Sequence, residues 1–579
     1  MNSLHDIVLK YVLRNAIKYG GKAKAKPVLN MILAENPHLR TSVKEVVALV
    51  EKIVEKVNSM NLSEQRRLAE EKYPEILIEK VEKRERIGLP PLPYVDKYPR
   101  VRTRFAPNPN FDIHLGHARA AILNFEYAVK YGGDFILRFE DTDPRIKTPV
   151  ADAYDVIRDN LRWLGLKWKE EYIQSLRMEI YYKYATKLLE IGGGYICTCP
   201  PHEIRMHRLH GIRCKHYNHT IEENLDLWDR MLNGEFEEGA IVLRVKTDPE
   251  FPDPSVRDWI AFRIIDSSKY PHPLVGDKYI VWPTYNFACA IDDHLMKITH
   301  ILRGKDIEAN TPKQKFLYAH FKWEYPVTIH FGKLKLEGMI LSKSKIRQGI
   351  EEGKYRGWDD IRLATISALR RRGILPETIK KIILDVGIKP VEARISLVNL
   401  YAINRSLLEP RANRFMFVKN PVKLIIHNCT VKKAVLPYHP SFPERGFRAL
   451  EIRPINNVAR VFISREDAKR LHRGAELRLM GLCNVKVLGT SNYAIESICT
   501  GTSVKYARKK KIPIIQWCSE DYIRVEVERA EADDIVFDSG YAESEVARLP
   551  IGYIVQFIRY GFVKIENIGK CIHAIYVHD

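Results

Sequence analysis

Nowhere in this 579-residue chain is there a run of about 18 uncharged apolar residues, the least that a membrane-spanning helix needs. The first fifteen residues mix charges into apolar positions at helical spacing, which is not the pattern of a secretory signal. Cysteine is scarce and odd in number, nine in all. That excludes a secreted disulfide framework and leaves thiols that are free or metal-bound. No internal repeat, low-complexity tract or long tail of like charge is present. These absences predict a cytoplasmic protein without a membrane segment. Acidic residues are also in short supply, 72 against 93 Lys and Arg, which leaves a net charge of +21. An excess of one sign without a charged tail points to a polyanionic partner, nucleic acid first. The alternative, a surface adapted to heat, accounts for the charged fraction of 28% but not for its sign.

An apolar content of 45% describes a folded chain, and its length calls for roughly three to five domains. Residues 1–87 read as helices. Ile7, Val8, Tyr11, Val12 and Ala16 share one helical face, and so do Val43, Val46, Val47, Val50, Ile53 and Val54. Residues 88–100 carry four prolines and read as a linker. From 101 the rhythm becomes strand, loop, helix, strand. A strand covers 101–106. A helix covers 117–131, with Ala118, Ala121, Ile122, Phe125 and Val129 inward, and a second strand begins at Phe135. Such alternation predicts a doubly wound, Rossmann-type α/β domain over 101–195 and 283–345. Its ligands belong at the carboxyl ends of the strands. Residues 196–282 break the rhythm and read as an inserted domain. Residues 346–410 read as a helical connecting domain, most clearly over 355–405. Short β-rich runs with turns between them, 411–579, predict one or two antiparallel barrels.

Three local patterns carry chemistry. The first is His-Leu-Gly-His, His114–His117, on a loop that opens a helix directly after a strand. A helix N-terminus offers unpaired N–H groups to phosphate, two imidazoles can donate to its oxygens, and Gly116 permits close backbone approach. The second is Leu341–Lys345, Leu-Ser-Lys-Ser-Lys, between Gly338 and Gly349. Its lysines suit a leaving pyrophosphate; an ordinary solvated basic loop is the alternative for that string alone. The third is Cys197 and Cys199 followed by Cys214 and His216. Two pairs of soft ligands about 15 residues apart suit tetrahedral Zn²⁺, against the alternative of free thiols. His202, His207 and His219 stand close enough in sequence to substitute. Lys505, Arg508, Lys509, Lys510 and Lys511 suit RNA phosphate or a plain solvated face.

His-Leu-Gly-His followed by Leu-Ser-Lys-Ser-Lys resembles the two signatures of the class I aminoacyl-tRNA synthetases. The segments at 104–128, 132–144 and 283–307 are similar to the glutamyl and glutaminyl branch. The tail, including 436–450 and 551–566, resembles the β-barrel anticodon-binding region of archaeal and eukaryotic glutamyl enzymes and of glutaminyl enzymes. The resemblance covers about residue 100 to the end and implies that 196–282 binds the acceptor stem. Two positions depart from the pattern. Phe111 stands where the family has Gly, and Ile340 stands where the first lysine of the second signature belongs.

The resemblance implies ATP-dependent attachment of L-glutamate to tRNA(Glu), with tRNA(Gln) a further candidate, through an aminoacyl-adenylate, by a monomer that uses Mg²⁺ brought in with ATP. His114, His117 and Lys343 would stabilise the triphosphate, with Pro107, Asn108, Pro109, Gly116, Leu341, Ser342, Ser344 and Lys345 around the nucleotide. Glu140 would bind the substrate ammonium, and Arg104, Tyr285 and Arg303 its carboxylates. Arg303 is the residue that implies glutamate over glutamine, because glutaminyl enzymes have a non-basic residue there. The alternative for Arg303 is a surface ion pair with Asp306 or Glu308. The same inserted domain carries zinc on Cys-x-Cys and Cys-x-His pairs in some glutamyl enzymes.

Overall fold

A computed structural model of the chain describes residues 4–18, 21–35, 39, 42–73, 88–339, 341–491 and 494–579. It divides into two compact units, Met1–Pro90 and Pro91–Asp579.

In the first unit, helices α1 (Leu4–Lys18), α2 (Ala25–Glu35), α3 (Val43–Asn58) and α4 (Leu62–Lys72) enclose a core of aliphatic side chains. Asn61 caps α4 and Glu64 reaches back to the Asn61 N–H, which satisfies donors that a helix start leaves open. On α1 the buried stripe is Val8, Leu9, Val12, Leu13 and Ala16. Ile7 and Tyr11, expected inside, are only partly covered. The part of the helical reading that falls on 74–87 lies outside the described residues.

The second unit opens with a packed segment. Leu92 is buried and its N–H donates to the Tyr131 hydroxyl. His300 Nε2 lies 2.9 Å from the Pro93 carbonyl oxygen. Residues 91–100 of the expected linker thus line the α/β domain. Strand β1 (Arg102–Phe105), helix α5 (Leu115–Lys130), β2 (Asp134–Phe139), α6 (Ala151–Trp163) and β3 (Glu170–Ile173) form a parallel sheet in the order β1-β2-β3. Of the expected inward face of α5, Ala118, Ala121 and Ile122 are buried, Phe125 is partly covered, and Val129 is 58% exposed. Leu123, Tyr127 and Ala128 are buried as well.

After α7 (Met178–Glu190) the chain enters a four-stranded antiparallel sheet: β4 (Gly194–Cys197), β5 (Val242–Val245), β6 (Ile260–Ile264) and β7 (Val281–Pro283). Helices α8 (Pro201–His210) and α9 (Ile221–Leu232) lie between β4 and β5. Then come α10 (Tyr285–Leu295), β8 (His300–Gly304), α11 (Asn310–His320) and β9 (Val327–Phe331), with β8 and β9 parallel. β8 lies beside β1, where the Thr299 N–H donates to the Arg102 carbonyl and the Arg102 N–H to Thr299 Oγ1. The carboxyl ends of β1, β2 and β8 therefore open on one side of the domain.

The connecting region is not wholly helical. β10 (Leu334–Leu336) pairs in parallel with β11 (Ala393–Ile395), and only glycine fits at 332, where a Cβ would overlap Val391. Around this pair lie α12 (Lys343–Glu351), α13 (Ile366–Arg371), α14 (Pro376–Val386) and α15 (Leu397–Leu408). Beyond Arg411, strands form a six-stranded and a seven-stranded sheet, each over its own apolar core. Their alternating burial, as at Ala459–Ser464, follows from one face meeting the core. Among the described residues, no helix is long and apolar enough to cross a membrane.

Candidate active site

A cavity of about 900 Å³ opens at the carboxyl ends of β1, β2 and β8. Of the sequence-predicted residues, Arg104, Pro107, Asn108, His114, Gly116, His117, Glu140, Tyr285, Arg303, Leu341 and Ser342 line it. Pro109, Lys343, Ser344 and Lys345 do not. The Pro109 carbonyl accepts from the Val150 N–H, Ser344 Oγ lies 3.2 Å from Ser342 Oγ, and Lys345 is exposed. Ile340 lies outside the described residues.

The loop after β1 and the loop after β2 are tied together. The Glu140 N–H donates to the Pro107 carbonyl at 3.0 Å, and Asn108 Nδ2 donates to the Glu140 carbonyl at 2.7 Å. Asn108 Oδ1 is buried without a partner at the cavity wall, which suits a ligand donor.

His114 is the N-cap of α5. Its Nδ1 accepts from the Gly116 N–H at 3.0 Å, and His117 Nδ1 accepts from the His114 N–H at 3.4 Å. The rings lie 3.9 Å apart. Burial, then the Lys343 cation, lowers the His114 pKa to about 4; burial, His114 and Lys343 hold His117 well below its ordinary value. Both imidazoles are therefore neutral near pH 7, and with each Nδ1 accepting, the proton of each sits on Nε2. The pair is a set of neutral donors. Glycine at 116 is required by His114 itself, since a Cβ would lie 2.8 Å from the ring.

The charged floor of the cavity was only partly legible from sequence. Arg104 Nε lies 3.1 Å from Asp293 Oδ1, and Arg138 lies 2.7 Å from the same oxygen and 2.8 Å from Glu140 Oε1. Arg104 and Arg138 are thus matched by Asp293 and Glu140. Although burial opposes it, the two guanidinium groups hold the Asp293 carboxyl down at about 2. Arg104, expected at a substrate carboxylate, lines the cavity with its guanidinium paired to Asp293. Arg138 and Asp293 were missed because they are 155 residues apart, and no local pattern marks their meeting. The one available signal was an arginine set among the apolar residues of 135–139.

Arg303 differs. It is 3% exposed, and its neighbours are Gln314 Oε1 at 3.1 Å, Thr311 Oγ1 at 2.7 Å, His330 Nε2 at 3.3 Å and the Tyr325 hydroxyl at 3.4 Å. Among the described residues no carboxylate pairs with it. Glu308 lies nearer His330, at 3.9 Å. The surface ion pair considered for Arg303 is absent from the described contacts. A buried guanidinium at a cavity wall, held only by neutral side chains, can accept an anion.

Lys343 Nζ donates to Asn110 Oδ1 at 3.1 Å. Burial is the main cause that lowers its pKa to about 8. Among the described residues, no carboxylate cage for a cation stands in the cavity. Glu140 is taken by Arg138, and Asp143 by Arg263 at 2.9 Å.

Cys197, Cys199, Cys214 and His216 are all buried, with ligand atoms within 4.8 Å of one another. Cys197 Sγ to Cys214 Sγ is 3.8 Å, and His216 Nδ1 lies 3.5 Å from Cys199 Sγ and 3.8 Å from Cys214 Sγ. A tetrahedron with metal–sulfur bonds of about 2.3 Å has edges of roughly 3.8 Å, so the donor set fits zinc. Thr198 Oγ1, 3.0 Å from His216 Nε2, fixes the ring. Arg244 lies 3.7 Å from Cys214 Sγ and would offset thiolate charge. His202, His207 and His219 are not in the cluster. A second cavity, about 510 Å³, is lined by Arg145, Arg205, Arg208 and Arg263, and Arg263 lines both cavities.

Comparison with known proteins adds to this geometry. Residues 100–410 match the family model for the catalytic domain of class I tRNA synthetases (E and Q), and residues 412–506 match its anti-codon binding domain. The glutamate–tRNA ligase of Hyperthermus butylicus is 50% identical over 98% of this chain and 100% of its own. That of Caldivirga maquilingensis is 50% identical over the whole of both chains. That of Pyrococcus furiosus is 49% identical over 99% of this chain and 100% of its own.

Proposed function

The chain belongs to the class I tRNA synthetases for glutamate and glutamine, and from that premise we propose that it ligates L-glutamate to tRNA(Glu) at the expense of ATP. The observation that carries the choice of glutamate is Arg303. Arg104 and Arg138 are already balanced by Asp293 and Glu140, and Arg119 is held by the carbonyls of Gly332 and Gly387, which leaves the Arg303 guanidinium for the ligand. The γ-carboxylate of glutamate meets it. Glutamine, of nearly the same shape, leaves it uncompensated. The glutaminyl alternative has no use for such a cation.

The reaction runs in two steps. The α-carboxylate of glutamate attacks the α-phosphate of ATP, forming glutamyl-adenylate and releasing pyrophosphate. A ribose hydroxyl at the tRNA terminus then takes the acyl group and releases AMP. No side chain acts as nucleophile. The protein positions the partners and stabilises charge. His114 and His117 donate neutral Nε2–H groups to phosphate oxygens, and the open N–H groups of α5 add partial positive charge. Lys343 supplies full charge where pyrophosphate departs. Tyr285 and Glu140 orient the amino acid, with Glu140 on its ammonium. Mg²⁺ brought in with the nucleotide would screen its phosphate charge; the pairing of Glu140 and Asp143 with arginines supports this over a dedicated protein cage.

The arginine-lined second cavity, continuous in lining with the first at Arg263, suits the single-stranded end of the acceptor RNA. Zn²⁺ held by Cys197, Cys199, Cys214 and His216 would fix the ends of β4 and the α8 loop; four protein ligands leave no position for chemistry. ATP–pyrophosphate exchange with glutamate and with glutamine, with and without tRNA, tests the activity. Exchange that prefers glutamine refutes it. Parallel charging of purified tRNA(Glu) and tRNA(Gln) measures the tRNA range.

A further inference from the structure

The Leu-Ser-Lys-Ser-Lys segment is separated by more than two hundred residues from His114, yet the two meet through one side chain that departs from the family pattern. Phe111, three residues before His114, stacks on Trp358 with ring centroids 4.6 Å apart and planes 25° apart. The Arg347 guanidinium lies 4.0 Å from the centroid of the Phe111 ring. Lys343 Nζ lies 5.4 Å from the same centroid while it donates to Asn110, the residue before Phe111. Lys343 and Arg347 are one helical turn apart on α12 and so share a face.

The surroundings are fixed. The Leu115 N–H donates to the Ala364 carbonyl, and the Ile366 N–H to the Ile113 carbonyl. Asp112, buried, accepts from Ile113, Asn160 and Ser367. At the far end of α12, Gly349 packs so closely on Tyr355 that a Cβ would lie 2.5 Å from the ring. Among the described residues, the start of α12 has no comparable backbone anchor. Ser342 and Ser344 are exposed, and the contacts that tie this end to the loop before His114 are those of Phe111 and Asn110.

We propose that Phe111 is a positioning residue for Lys343: its ring, braced from behind by Trp358, holds α12 through Arg347 and Lys343 and so sets the lysine beside the His114 loop before ATP arrives. A cation over an aromatic face is attracted by the ring quadrupole, more strongly as water is excluded. A lysine on a long stem otherwise loses considerable rotamer freedom when it is fixed on pyrophosphate. Phe111 removes part of that cost in advance. A glycine at this position offers no such face. The assignment rests on the adenylate-forming activity proposed above.

The test uses the full chain. Phe111→Leu keeps an apolar side chain and removes the ring face; Phe111→Tyr keeps the face. With glutamate, tRNA and saturating ATP, pyrophosphate exchange is predicted to fall about tenfold in Phe111→Leu. The KM for glutamate stays unchanged, and Phe111→Tyr stays within about twofold of the wild type. Arg347→Met gives the same pattern at smaller size. Hydrogen exchange over 343–351 rises in Phe111→Leu and not in Phe111→Tyr. A Phe111→Leu rate within about twofold of the wild type, or equal losses in the Leu and Tyr variants, overturns the assignment. A wild-type chain that exchanges no pyrophosphate with glutamate refutes the activity instead, and the hydrogen-exchange comparison then decides the role of Phe111 alone.

Discussion

Arg303 in the α/β domain and Arg448 in the C-terminal barrels are equally buried, each 3% exposed. Arg448 meets Glu543 in two charge-assisted bonds, Nε to Oε2 at 2.6 Å and Nη2 to Oε1 at 3.0 Å. Glu543 also accepts from the Met416 N–H. Every charge there is matched inside the fold. Arg303 meets only neutral groups. The Arg448–Glu543 pair is closed within its own fold, whereas the Arg303 guanidinium has no carboxylate partner among the described residues. Burial alone does not tell these two arginines apart; their partners do.

The comparison predicts a double dissociation, and its largest effect is on catalysis. Arg303→Ala is expected to lose glutamate activation by about 10³- to 10⁴-fold in kcat/KM, the range for sites that demand a polar partner. Its unfolding free energy should stay within about 1 kcal/mol of the wild type. Arg448→Ala should do the reverse. It strands the Glu543 carboxylate and costs about 3–5 kcal/mol of stability, while glutamate activation per folded molecule is unchanged. Denaturant unfolding and pyrophosphate exchange on the same preparations check both. Equal stability losses in the two variants would erase the distinction.

A smaller effect tests the neutral donors. His117→Ala should slow adenylate formation by about 10²- to 10³-fold, the loss of one donor aimed at transition-state charge, in single-turnover kinetics at saturating ATP. An unchanged rate would make the histidines purely structural. The next effect is about tenfold per pH unit. With its pKa lowered to about 8, Lys343 is charged below that pH and loses its charge above it. In the free enzyme, kcat/KM for ATP should decline as pH rises past about 8, and Lys343→Arg should remove that limb. His114 is neutral above about pH 4, and His117 is held well below its ordinary value by burial, His114 and Lys343, so neither contributes an inflection near that ordinary value. A limb near pH 6.5 would mean that a charged imidazole takes part.

The smallest expected effect on activation concerns the inserted domain. One zinc per chain should be found in dialysed protein never exposed to chelator, and its removal should loosen that domain while adenylate formation stays within about threefold. Less than a tenth of an equivalent would contradict the site.

What the sequence made legible was what is local. His-Leu-Gly-His had to start a helix after a strand, and His114 caps α5. The two Cys and His pairs, 15 residues apart, converge as their chemistry suggested. The opposite fate of Arg104 and Arg303 was not legible, since both are arginines at strand ends. Asp293 chooses between them from a helix far along the chain. Val129 misled because helical spacing marks a face but not which of its residues a neighbouring element covers. The strand at Ala393–Ile395 was hidden because three residues carry no period, and its partner strand decided it.

The central claim is that an unmatched buried arginine selects glutamate. Its most direct test is the ratio of kcat/KM for glutamate over glutamine, with tRNA present, in the wild type and in Arg303→Ala. The account predicts that the ratio falls by about 10²-fold or more in the variant, as the penalty against the amide disappears with the charge. A ratio within about threefold of the wild type, on the order of 0.6 kcal/mol, would contradict it.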